Sequence, residues 1–139
     1  MSPAHVAASV CYAVIALVAI VFGAAYLVRS RIMPYHEEAI GRPWAELEPR
    51  LQTLLLGLLR LAGGGMLCGG VAIAILLAIP FRDGEAWSAV AMLVIGFLTL
   101  LPSLYATIFI RSRTGARTPV WVAVAGVGLL VAGSMLSLL

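Results

Sequence analysis

The chain has no lysine and no asparagine, and its 139 residues include only six acids, nine arginines and two histidines. A charged share of 11% is well under the roughly 25% of an ordinary soluble domain. The formal charge of +3 is too small and too dispersed for a nucleic-acid reader, so no nucleic-acid partner is expected. An all-arginine basic set is also what GC-rich coding produces, and it carries no functional meaning here. The two cysteines, Cys11 and Cys68, fall in different apolar runs. At about 1.5 Å rise per residue their depths differ by roughly 9 Å, which a relaxed disulfide does not span. Two free thiols are therefore expected, packed as small apolar groups.

The deepest gap concerns ionisable groups. No Asp, Glu, Lys or His stands in the middle of any apolar run. Proton- and ion-coupled transporters keep such a residue in the membrane despite its cost, and small multidrug-type pumps keep a carboxylate there. Haem-bearing bundles need paired axial histidines across helices, and none are available. No phosphate-cradling loop and no nucleophile motif occurs, so no cofactor and no resident metal are expected.

What is present is hydrocarbon: 63% of the residues are hydrophobic. A soluble protein of this composition would expose large apolar patches and aggregate, whereas lipid makes it reasonable. Four apolar runs, at about residues 6–28, 61–79, 86–110 and 118–139, approach or exceed the roughly 20 helical residues that cross a bilayer core. The opening Met1-Ser2-Pro3-Ala4-His5 has no positive charge before the first run, so that run reads as a retained span and not a cleaved leader. The expected fold is all-α: one four-span membrane domain, a four-helix bundle with short amphipathic helices between spans one and two.

Arginine placement orients it. Arg29, Arg31, Arg42, Arg50 and Arg60 flank or fill the first connection, Arg111, Arg113 and Arg117 the third, and only Arg82 the second. Counted without the acids, this puts segments 29–60 and 111–117 in the cytoplasm and both termini outside, in a plasma membrane (the inner membrane of a bacterium). With no acid to balance them, Arg111, Arg113 and Arg117 also suit anionic lipid headgroups, which makes the bilayer itself the first expected partner.

The first connection is the least ordinary segment. Pro34 and Pro43 stand where first helical positions would be, with acids following within a turn, and Gly41 is a stop between two short helices. Leu51, Leu54, Leu55, Leu58 and Leu59 then line one helical face, which reads as a surface helix or as an extension of span two. Tyr35 and Trp44 suit the headgroup region. His36-Glu37-Glu38 is the most chemical-looking cluster and supplies the only catalytic candidates. Adjacent helical residues diverge, so the three do not converge on one metal. A solvated, lipid-facing surface cluster is the first reading, and acid–base work by His36 with Glu37 or Glu38 is the alternative.

Small residues mark the packing faces. Gly65 and Gly69 form a GxxxG pair in span two, and span four carries Gly126 and Gly133. Lipid offers no hydrophobic drive for helices to associate, so small residues matter because backbones can then approach closely. Packing within one bundle, an interface between copies and a ligand-lined groove are the three readings. In span three, Pro102 frees the Leu98 carbonyl, and Thr99, Ser103 and Thr107 stand by as a polar lining or as a kink's hydrogen-bond donors. The Val28-Arg29-Ser30-Arg31 and Ile110-Arg111-Ser112-Arg113 stretches echo one another, as the positive-inside requirement also produces.

In length and span number the chain resembles the membrane-associated glutathione and eicosanoid enzymes. Their segment at the second span has an Asn and a Glu after Arg residues; the matching stretch, Arg50 to Gly65, has neither. The leading expectation is a non-catalytic membrane protein acting through homo-oligomerisation or as a partner's accessory subunit. A channel for a neutral or apolar solute comes next, then an enzyme acting on a lipophilic substrate at the cytoplasmic interface.

Overall fold

Proline decides where three of the helices begin. Helices α1 (Pro3–Val28), α2 (Pro34–Ile40) and α3 (Pro49–Leu76) each start on one, where a preset φ helps and the missing N–H has no partner to lose. A 3₁₀ turn, Trp44–Glu46, lies between α2 and α3, and α4 (Ala86–Thr114) and α5 (Val120–Leu136) follow. The computed structural model describes residues 2–138, and among these the regular structure is all helical, with no strand. Three helical stretches, Pro3–Val28, Pro49–Phe81 and Ala86–Thr114, are long and apolar enough to cross a membrane, while α5 is a shorter apolar helix of 17 residues.

The differences from the sequence-based boundaries have local causes. The leucine-faced segment after Pro49 is not a separate surface helix: nothing between Pro49 and Leu76 breaks the backbone ladder, so it extends α3. Pro43 does not start a helical turn but precedes the 3₁₀ turn. The expected fourth span loses its first two residues, because Thr118 and Pro119 stay non-helical. Thr118 is held there by its hydroxyl, which donates to the Thr107 carbonyl at 2.8 Å. Leu139, the last residue of that expected span, lies outside the described residues. The two arginine-bearing echoes also diverge, since α1 stops at Val28 while α4 runs on through Arg111 and Arg113.

Chain ends and turns are built by short-range hydrogen bonds. Ser2 caps α1 by accepting the His5 N–H at 3.1 Å. Gly41 closes α2, and Gly115 α4, in the left-handed conformation that glycine adopts without a Cβ penalty. Pro80 sits in a π-helical turn, Leu77–Phe81, that continues α3 and rotates Phe81 into the interior.

The four longer helices pack antiparallel, α1 against α3 and α5, and α4 against α5 and α3. Both termini are at one end, called here the terminal end, and α2 lies at the other. The α1–α3 pair is packed most extensively. A Cβ added to Gly23 would stand 2.6 Å from the Leu67 backbone nitrogen, and one on Gly63 2.8 Å from the Gly23 carbonyl oxygen. A Cβ on Gly70 would stand 3.0 Å from the Ala16 carbonyl oxygen. The two backbones are therefore in van der Waals contact over two turns.

The core occupies the terminal half. Ala8, Tyr12, Ile15, Ala16, Ile73, Phe81, Met92 and Leu130 form one buried cluster. His5 stacks on Phe81 with ring centroids 4.2 Å apart, Phe81 meets Tyr12 edge-on, and the Tyr12 hydroxyl pairs with Ser134 Oγ at 3.1 Å. The phenol is thus buried with its hydrogen bond satisfied.

The neighbouring glycines 63 and 64 give a matched test of the seam. A side chain at Gly63 meets α1 backbone, whereas one at Gly64 meets nothing within 4 Å. Gly63→Leu is expected to cost at least about 1–3 kcal/mol, the usual cost of overpacking. Gly64→Leu is expected to leave the thermal midpoint of the purified protein, read by circular dichroism in detergent, unchanged or higher.

Candidate functional site

Toward α2 the close packing ends. Gly69 of α3 lies against the Thr99 side chain of α4, and beyond that contact the two helices part around a hollow of about 600 Å³. Its walls include Ala62, Gly65, Met66, Pro102, Ala106 and Ile110. A second hollow of about 440 Å³ lies among α1, α4 and α5, walled by Val14, Val18, Phe22, Trp121 and Leu129. Tyr26, Tyr35, Met66, Thr99, Ser103 and Thr107 line both, so the two are lobes of one site set back to back. Among the described residues no charged side chain lines either lobe.

The hydroxyls in these walls are mostly committed. Thr99 donates to the Ile95 carbonyl at 2.8 Å, and Thr107 to those of Ser103 and Leu104 at 3.0 and 2.9 Å. Neither goes to the Leu98 carbonyl that Pro102 frees, and α4 runs through Pro102 as one helix. Ser103 Oγ is left without a protein partner among the described residues. The site is therefore apolar with few polar groups, the usual character of a pocket for a lipophilic molecule.

Tyr26 and Tyr35 close the site toward α2. Their hydroxyls hydrogen-bond to each other. His36 meets the Tyr35 ring edge-on at 4.4 Å, and its Nδ1 accepts the Met33 N–H at 3.4 Å, which leaves the proton of the neutral ring on Nε2. Burial pushes the Tyr35 phenol well above its ordinary 10.0, with the bond to Tyr26 adding to the rise, while the nearby Arg29 guanidinium opposes it. Burial likewise lowers His36 below 6.5. Glu38 pins the same helix from the other side: Oε2 accepts the Arg117 N–H at 3.0 Å and ties α2 to the α4–α5 link.

Within His36-Glu37-Glu38, Glu38 is exposed while His36 and Glu37 are only partly so. His36 is half-buried beneath two tyrosines and Glu38 makes a tertiary hydrogen bond, because α2 folds back across the ends of α1 and α4. None of the three lines the hollows, and among the described residues no three acid, His or Cys side chains could hold a metal ion. Gly65 and Gly69 do not share one contact: Gly65 faces open space in the site, while Gly69 is covered by Thr99. Gly126 packs on Leu100, and Gly133 on Cys11 and Tyr12. The thiols are both free, with Cys11 partly buried but Cys68 exposed at the wall of the larger lobe, where the helices part. Arg111, Arg113 and Arg117 are exposed, and Arg113 lies over the Phe109 ring at 5.7 Å.

Compared with known families, curated proteins and solved structures, the chain matches none. The site must be read from its own residues. Tyr26 is the contributor that sequence patterning passes over, since it falls inside an apolar run. Its signal is a phenol in the last turn of a long helix, joined to a second phenol by a link too short to carry Tyr35 away. Gly23, Gly63, Gly70 and Gly96 were also hidden, because spacing alone does not say which small residue faces a neighbour.

The docking of α2 depends on pH through His36. A histidine with a depressed folded pKa binds fewer protons folded than unfolded, so the docked state is fully stable above 6.5 and loses stability as pH falls below it. Amide exchange in α2 is expected to speed up relative to α1 between about pH 6.5 and 5, and His36→Gln to remove that difference.

Proposed function

We propose that this chain is a four-span integral membrane protein that holds a lipophilic molecule in the hollow beside Tyr26 and Tyr35. The observation that carries the reading is the hollow itself, a two-lobed space with no charged side chain in its walls, next to a solid core. The 17 residues of α5 reach about 26 Å, the short end of what crosses a bilayer core. Eight arginines at the α2 end against Arg82 at the other favour a cytoplasmic α2 end in a plasma membrane. In this reading Arg111, Arg113 and Arg117 rest among anionic headgroups, and the hollow opens toward the inner leaflet.

Assembly between copies or docking on a partner has less support than the glycine pattern alone gives it. Gly69, Gly126 and Gly133 are used within the chain, and they are three of the four glycines on which that reading stood. A pore is disfavoured by the terminal half, where Tyr12, Ile73 and Met92 are fully buried across the axis of the hollow. Catalysis by His36 would need its ring at the hollow, and it stands behind Tyr35 instead.

Photolabelling separates a binding site from mere contact with lipid. A hexadecane bearing a mid-chain diazirine, added to membranes containing the protein, is expected to label Met66, Ser103 and Ala106 above the outward-facing Leu17 and Val21. Ala106→Trp, which fills the larger lobe, should reduce the first set and spare the second. Labelling spread evenly over outward faces would sink the reading.

Cysteine accessibility tests the orientation. Thr114→Cys in a Cys11→Ser, Cys68→Ser background should react with a membrane-impermeant maleimide only after the cytoplasmic face is exposed.

A further inference from the structure

The Tyr26–Tyr35 pair has two O–H groups and one mutual hydrogen bond. One proton is used between the rings; the other has no acceptor among the described residues. Both phenols line both lobes, as does Ser103, whose hydroxyl is also unpartnered. These hydroxyls are partly buried, and a donor facing an apolar hollow without an acceptor gains from a ligand oxygen. Charge narrows the ligand further. No guanidinium or ammonium lines the hollow: the Arg29 guanidinium acts on Tyr35 from outside its walls, so an anionic end would have no ion pair within it, and no carboxylate is there to hold a cation.

We propose, resting on the reading of the hollow as a binding site, that it selects an uncharged amphiphile ending in an acceptor oxygen, a carbonyl or ester, to which the tyrosine pair donates. The apolar tail fills the space between α3 and α4 along Met66, Leu98 and Ala106. The oxygen lies toward α2, against the phenols and Ser103. Because burial holds the Tyr35 phenol protonated at every physiological pH, its end of the pair does not switch off. Recognition is by shape and one donated hydrogen bond, with no proton transfer.

Cys68 supplies the readout, since it is exposed and lines the larger lobe. In detergent-solubilised full-length Cys11→Ser protein it is the only thiol. Its alkylation rate by N-ethylmaleimide is measured against rising hexadecane, methyl hexadecanoate and hexadecanesulfonate, which share a chain and differ at the end. Methyl hexadecanoate is expected to protect at about fivefold lower concentration than hexadecane, the worth of one net hydrogen bond, and the sulfonate to protect least. The double substitution Tyr26→Phe, Tyr35→Phe keeps both rings and should bring the ester down to the alkane. Equal protection by alkane and ester, or strongest protection by the sulfonate, overturns the recognition proposed here and leaves a general apolar site. Protection by none of the three overturns the binding site itself. The probe ranking in the Cys11→Ser protein decides the matter even if the double variant does not fold.

Discussion

At Gly23 and Gly63 the backbones of α1 and α3 touch, and the placement of every other helix follows from that contact. No hydrophobic effect draws apolar helices together in lipid, so close backbone approach, with its many short van der Waals contacts, is the main source of association. Gly70 against Ala16 extends the seam by two turns. With α1 and α3 fixed as one slab, Tyr12 and Ile73 present a single surface on which Phe81, Met92 and Leu130 close the terminal half.

The same seam leaves the other half open. α4 packs closely on α3 where Gly69 admits Thr99, and α5 reaches α4 where Gly96 and Gly126 admit Leu130 and Leu100. Past those contacts the side chains facing inward are small or kept short: Gly65, Ala62, Ser103, Ala106. They cannot fill the distance between helices held apart by their neighbours. Two rings from α1 and α2 close the gap instead, and α2 stays in place through Tyr35 and Glu38. A tight half and a hollow half are thus consequences of one distribution of small residues.

Much of the fold was legible in the residues. The helix start at Pro34 and the stop at Gly41 follow from backbone chemistry that needs no neighbour. The site was less legible. Thr99, Ser103 and Thr107 stood out as polar groups in an apolar run, and they do line the hollow, but His36 looked exposed because its partial burial depends on where α2 folds back. Gly65 and Gly69 looked alike as a pair, yet one is covered and the other open.

What the sequence by itself determined is that the chain is helical and apolar enough for a membrane; of the four spans it leads one to expect, three are helical stretches long enough to cross one, and α5 is shorter. Apolar length and the need to satisfy each backbone group within its own segment are local properties, readable along one strand of text. Only the tertiary structure decided which glycines carry contacts, that Tyr26 meets Tyr35, and that a hollow remains between α3 and α4. Those depend on the rotation and separation of whole helices, and a small residue or a phenol reads the same on every face until a neighbour is set against it.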